Sequence, residues 1–190
     1  MPIAFNPAGS FGGNLGGRIN LHNTTSLQFG PDGRLYVSEQ NGDINVFTVE
    51  KQGDTGVQTA AEVLTLPGGG GVVKSIQNHN DDGTESGNGN RQVTGLVVTE
   101  DDQGNIVLYI SSSDPRIATN NDSGLDTNSG VVSKVTQTEN GWEVVDLVRG
   151  LPRSEENHSV NGMILTDDGT KLLLQVGGFT NNGAPSGFFS

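Results

Sequence analysis

The chain has no cysteine, which excludes disulfides, thiolate metal sites and cysteine nucleophiles. Aromatic residues make up 5% and apolar residues 32%, too little for a bundle of helices with broad apolar faces. Basic residues are scarce as well. Ten Lys and Arg against 22 Asp and Glu leave a formal charge of −12, a surface that repels phosphate backbones and argues against a nucleic-acid partner. No apolar run reaches the length of a membrane span. Residues 1–17 are rich in Gly and Asn, and no basic segment leads into an apolar one, so they do not read as a cleavable signal peptide.

What is abundant is glycine, 29 of 190 residues. It falls between short apolar runs, the composition of many strands joined by polar loops. One pattern occurs three times: an apolar run, an Asp/Gly turn, and a second apolar run. The copies are Ser26–Phe29, Gly30-Pro31-Asp32-Gly33 and Arg34–Val37; then Gly95–Val98, Asp101-Asp102-Gln103-Gly104 and Ile106–Ile110; then Gly162–Leu165, Asp167-Asp168-Gly169 and Lys171–Val176. Leu27, Leu96 and Met163 are equivalent, separated by 69 and 67 residues. Turns of this composition tolerate positive φ and cap their own backbone, which is hairpin chemistry.

Two further strand-like runs follow the first two hairpins: Asp43–Val49 with Ala61–Leu66, and Val131–Val135 with Trp142–Val148. Lys51–Gly56 and Glu139-Asn140-Gly141 supply the joining turns. Four strands per repeat is the blade of a propeller. The expected fold is all-β: about two and a half four-stranded blades of a β-propeller. Residues 1–19 read as a flexible N-terminal segment and 20–190 as partial propeller, with blades near 20–90, 91–156 and 157–190. Because a propeller closes into a ring, the chain is expected to be a portion of a longer protein. A small independent sandwich of about ten strands is the alternative.

The stretch Gly150-Leu151-Pro152-Arg153-Ser154-Glu155-Glu156-Asn157-His158-Ser159-Val160-Asn161-Gly162-Met163 feeds the first strand of the third repeat. Loops entering innermost strands line one end of a propeller channel, and a histidine there can take a proton near neutral pH. On periodicity alone, a histidine bonded to its own loop is the competing reading. Two Asx-rich loops are candidate calcium sites. Asn78–Gly83 fails as a calcium loop because its twelfth position is Gly89. The other, Asp122 to Gly130, offers Asp122, Asp126 and Asn128 beside Asp114, with a solvated turn as the alternative. His22 and His79 have no partners at zinc spacing. Gly68–Gly71 lacks the Lys-Ser/Thr of a phosphate loop and reads as a flexible tip.

The hairpin Phe29–Val37, the strand entry Arg91-Gln92-Val93-Thr94-Gly95-Leu96, Ser111–Arg116, the Gly150-Leu151-Pro152 lead into Asn157-His158-Ser159, and Gly177–Asn181 together resemble the glucose/sorbosone dehydrogenase family. These are soluble sugar dehydrogenases dependent on pyrroloquinoline quinone, built on a six-bladed propeller. The resemblance spans most of residues 20–186 and is nearest to a secreted bacterial branch. It implies oxidation of a small sugar, His158 as the general base, Asn157 orienting the base or substrate, and Gln92 or Arg91 bonding a sugar hydroxyl. The quinone does the redox chemistry in such enzymes. Calcium is a further implied cofactor, and the basic cofactor clamp is expected in later blades. The chain departs from the family where Val160 and Asn161 stand in place of a glycine pair, and where Asn157 stands in place of an aspartate. The resemblance also implies a secreted or periplasmic location, with the export signal outside this chain. A non-catalytic extracellular propeller that binds carbohydrate or protein is the rival reading.

Overall fold

The structure is a computed structural model, and it describes residues 21–52, 55–79, 84–85, 91–115, 128–153, 159–177, 180–181 and 184–185. Every regular element among them is a strand. Strands β1 (Thr24–Phe29), β2 (Leu35–Glu39), β3 (Ile44–Gln52) and β4 (Thr55–Val63) form one antiparallel meander in chain order. Strands β5 (Gln92–Glu100), β6 (Ile106–Ser113), β7 (Gly130–Thr138) and β8 (Gly141–Leu151) form a second. Strands β9 (Val160–Leu165) and β10 (Leu172–Val176) make a hairpin, followed by the short pair β11 (Thr180–Asn181) and β12 (Ala184–Pro185).

The three repeated turns close in the same way. Gly33, Gly104 and Gly169 sit at φ of 75°, 80° and 68°, a region closed to most side chains. In each, the turn glycine N–H donates back to Gly30 O, Asp101 O or Thr166 O, at 3.0, 3.0 and 2.8 Å. An aspartate braces each turn. Asp32 Oδ1 accepts Arg34 N at 3.1 Å, Asp101 Oδ1 accepts Gln103 N and Asn105 N at 2.9 Å, and Asp168 Oδ1 accepts Thr170 N at 3.1 Å. The side-chain hydrogen bond from Asn105 holds the Asp101 carboxyl below its ordinary value, and that from the Thr166 hydroxyl does the same for Asp168. At Asp32 partial burial pushes upward, but hydrogen bonds from Arg34 and Tyr36 and the guanidinium charge outweigh it.

The two meanders and the hairpin stack. β1 and β2 lie against β5, and β5 and β6 lie against β9. Tyr36, Ile44 and Val46 of the first sheet share one buried cluster with Leu96, Val98, Leu108, Ile110 and Val135 of the second. These side chains alternate along their strands, as a sheet with one face in the core requires. The segment after β4 adds Leu64, Val72, Val73 and Ile76 to the same cluster. Its glycines Gly68, Gly69 and Gly70 all have φ near 90° (90°, 98° and 89°), and Leu66 N bonds Gly70 O at 2.9 Å. The tip expected to be flexible is a hydrogen-bonded turn whose glycines serve positive φ.

Polar contacts set the spacing between sheets. The Gln28 side chain bridges to the next sheet, donating to Val98 O at 3.1 Å and accepting from Val98 N at 2.9 Å. Between the second sheet and the hairpin, Ser111 Oγ donates to Asn161 O at 2.8 Å, and the Thr94 hydroxyl donates to Val160 O. A Cβ at Gly95 would overlap Asn161 O and lie 2.6 Å from Ser111 Oγ.

One expectation needs adjusting. The fourth strand of the first repeat was placed at Ala61–Leu66, whereas β4 is Thr55–Val63. Its sequence, TGVQTAAEV, carries little apolar alternation because it is an outer strand. After β10, the short pair β11 and β12 forms a sheet of its own. All-β architecture with four-stranded antiparallel sheets is observed, and a closed ring of sheets is not seen among the described residues. The segment 1–19 lies outside the described residues.

Two outcomes are expected. Gly95→Ala should lower stability to urea by about 1–3 kcal/mol through overpacking, while Gly162→Ala, with nothing near its Cβ position, should leave it unchanged. Carboxyls held low when folded stabilise the chain fully above their unfolded pKa, and that stability is lost as pH falls through the lower folded value. Asp101→Asn should therefore flatten the decline in urea midpoint between about pH 5 and about pH 3, relative to the unaltered chain.

Candidate functional site

Strand direction decides which loops share an end. β5 begins, β6 ends, β7 begins, β8 ends and β9 begins at the same end of the stack. Of the candidate residues described, Arg91, Gln92, Asp114 and Asn128 all fall here, at or next to these strand termini.

Arg91 immediately precedes β5 and is 1% exposed. Its Nη1 donates to Asn78 Oδ1 at 2.6 Å, and its Nε to Ser112 Oγ at 3.0 Å. Its Nη2 donates to Ser112 O at 3.1 Å and Ser129 O at 2.5 Å. One guanidinium thus joins the β4–β5 segment, the end of β6 and the residue before β7. Only the planar five-donor fork of arginine spans three such acceptor groups at once. Ser129 also accepts the Asp114 N–H on its hydroxyl at 3.0 Å, so the neck of the β6–β7 loop is tied to Arg91. Asp114 is fully buried. Gln92 is buried and pairs with Ser113 across β5 and β6. Arg153 and Ser159, which flank segment 154–158, are each 1% exposed. Arg149, near the end of β8, donates from Nη1 to Gln77 O at 3.1 Å and meets His79 Nδ1 at 3.5 Å.

The structure therefore brings together four of the eight candidate residues. His158, Asn157, Asp122 and Asp126 lie outside the described residues. Calcium requires six to eight oxygen ligands, and among the described residues no group of three His, Asp or Glu side chains converges. Asp114 and Asn128 by themselves do not fit such an ion. A tricarboxylate quinone requires accessible cations, and the Arg91 guanidinium is turned inward onto Asn78, Ser112 and Ser129. Arg91 is therefore not available to such a quinone. Among the described residues no helix is long and apolar enough to cross a membrane.

The repeat supplies a signal that spacing alone did not bring out. The residues five positions before Leu27, Leu96 and Met163 are His22, Arg91 and His158. The first two sheets thus carry a histidine or an arginine just before their first strand, and the sequence repeats the spacing at His158, which lies outside the described residues. His22 is exposed there, and its backbone N–H donates to buried Glu39. Gly130 is the other position without a signal in the sequence: a Cβ there would stand 2.5 Å from Val160 Cγ2 and 2.6 Å from Leu151 O. No family model matches the chain, and no curated protein does either.

Replacing Arg91 by Met leaves Asn78 Oδ1 and the Ser129 carbonyl without this donor. Each buried unsatisfied group costs about 1–3 kcal/mol, so the urea midpoint should fall accordingly, with Arg91→Lys restoring only part of it. An unchanged midpoint in Arg91→Met would remove the clamp and favour a ligand-facing role.

Proposed function

We propose that the stacked sheets are consecutive blades of a β-propeller, and that the protein is a sugar-oxidising dehydrogenase of the quinone-dependent type, acting in a secreted or periplasmic setting. The observation that carries this is the order of the stack. Two four-stranded meanders and a third hairpin lie against one another through their first strands, β1 to β5 and β5 to β9. That is how blades are arranged around a shared axis. The β8–β9 segment with His158 enters the third of these first strands, at the end where Arg91, Gln92 and Asp114 gather.

In this reading His158 takes the hydroxyl proton of the sugar, and Asn157 orients the base or the substrate. Gln92, at the entry to β5, is the described residue nearest in sequence to a substrate role. Pyrroloquinoline quinone is the acceptor that the family resemblance implies, and it would supply the redox chemistry when bound. A second reading, a non-catalytic propeller that binds carbohydrate or protein, is favoured by one observation: Arg91 and Asp114 are buried within the fold.

The test is dye reduction by a panel of aldoses with added quinone and calcium. His158→Ala should lower turnover by about 10²–10⁴-fold, the usual worth of a positioned general base. Absence of turnover with every aldose, together with saturable glycan binding, would replace the first reading by the second.

A further inference from the structure

The first strand of each repeat breaks step at one place. In the first sheet the pairing of β1 with β2 passes from Thr24↔Glu39 to Ser26↔Ser38, and Thr25 is the odd residue between them. In the second it passes from Val93↔Ser112 to Gly95↔Ser111, and the odd residue is Thr94. In the hairpin it passes from Val160↔Val176 to Met163↔Leu174, so β9 carries one residue more than β10 over the interval that holds Asn161. Thr25, Thr94 and Asn161 are separated by 69 and 67 residues, the spacing of the repeat itself. Such an extra residue is a β-bulge, and it reverses the face on which the side chains beyond it lie.

At Thr94 that reversal has a chemical consequence. Leu96 and Val98 face the first sheet as part of the shared apolar cluster. Strict alternation from Leu96 would put Gln92 on that face as well, and Arg91 on the other. With the bulge, Val93 joins the cluster instead, across from Ser112. Arg91 follows it onto that side, where its guanidinium meets Asn78, Ser112 and Ser129. Gln92 stands directly across from Ser113, two residues on from Ser111, whose hydroxyl donates to Asn161 O of β9. Gln92 is therefore on the face turned to β9. One inserted residue exchanges the two neighbours.

Side-chain hydroxyls hold the bulge. The Thr94 hydroxyl donates to Val160 O in β9, and its Oγ1 lies 3.4 Å from Ser111 O and 3.3 Å from Ser111 Oγ. Thr25 makes the same pair of contacts with Ser38, at 3.4 Å to O and 3.0 Å to Oγ. Gly95, where a Cβ would overlap Asn161 O, lets the bulged strand lie close to β9.

We propose that Thr94 is a positioning residue for Gln92: its bulge sets the Gln92 side chain on the β9 face and leaves Arg91 to the fold. The substrate consequence rests on the reading of Gln92 as a sugar-hydroxyl contact; the exchange of faces does not.

The test removes the Thr94 hydroxyl while keeping its shape. Thr94→Val should shift the Gln92 side-chain amide signals in a heteronuclear NMR spectrum, identified by their loss in Gln92→Leu, and Thr94→Ser should return them. With an aldose that is turned over, Thr94→Val should raise KM on the order of threefold to tenfold, the worth of one hydrogen bond, with kcat little changed. In a Gln92→Leu background the same substitution should add nothing, because residues that act through one another are not additive. Thr94→Ala, which removes the same hydroxyl and adds no bulk, takes the place of Thr94→Val if that variant fails to fold. Unmoved Gln92 signals, or a rise in KM that persists in Gln92→Leu, overturn the proposal. Moved signals in a protein that turns over no aldose uphold the positioning role and remove the sugar-oxidation reading instead.

Discussion

The structure depends on how closely the first strands of successive sheets can approach. Apolar side chains drive the sheets together, but they do not fix the distance or the register. Polar atoms aimed at the neighbouring backbone do that. Gln28 satisfies both the N–H and the C=O of Val98, and Ser111 and Thr94 reach the carbonyls of Asn161 and Val160. Gly95 leaves room for the Asn161 carbonyl to come in against β5. A sheet that slid by one residue would strand these groups without partners, and buried unsatisfied polar groups are expensive.

The same reasoning accounts for the polar end of the second sheet. Strand termini leave backbone carbonyls without ladder partners, and a long connection crosses this end. Arg91 answers both needs, since its fork reaches Asn78 on that connection as well as Ser112 and Ser129 at the strand ends. Outside this end the molecule leaves apolar side chains uncovered. Leu27 and Phe29 on β1 are 67% and 58% exposed, and Ile164 and Leu173 on the hairpin are 63% and 56% exposed. Leu27 and Phe29 lie over Val37 and Leu35, on the face of the first sheet away from the second. Ile164 and Leu173 pair with each other in the last hairpin of the stack.

Much of the fold is legible in the residues. The three Asp/Gly turns announce themselves because only a few residue types tolerate their backbone, and Gly33, Gly104 and Gly169 all have the positive φ that their composition requires. Inner strands such as β2 and β6 carry apolar and β-branched residues because both faces are covered. The outer strand β4 was harder to place, since TGVQTAAEV lacks the alternation that burial imposes. The glycine run at 68–70 shows a related limit: composition alone does not reveal that its three glycines serve a hydrogen-bonded turn at positive φ.

The candidate site divides along the same line. Sequence by itself determined the strand order, the turns, the near-constant period and the presence of chemistry-bearing residues at the loop ends, because these follow from local backbone preference and local patterning. Only the tertiary structure decided that Arg91 points inward, that Asp114 is fully buried, and that Gly130 is a glycine for want of space. Each of those depends on atoms distant in the chain, Asn78 and Ser129 for Arg91, and Leu151 and Val160 for Gly130. No local pattern records a neighbour that arrives only when the sheets stack.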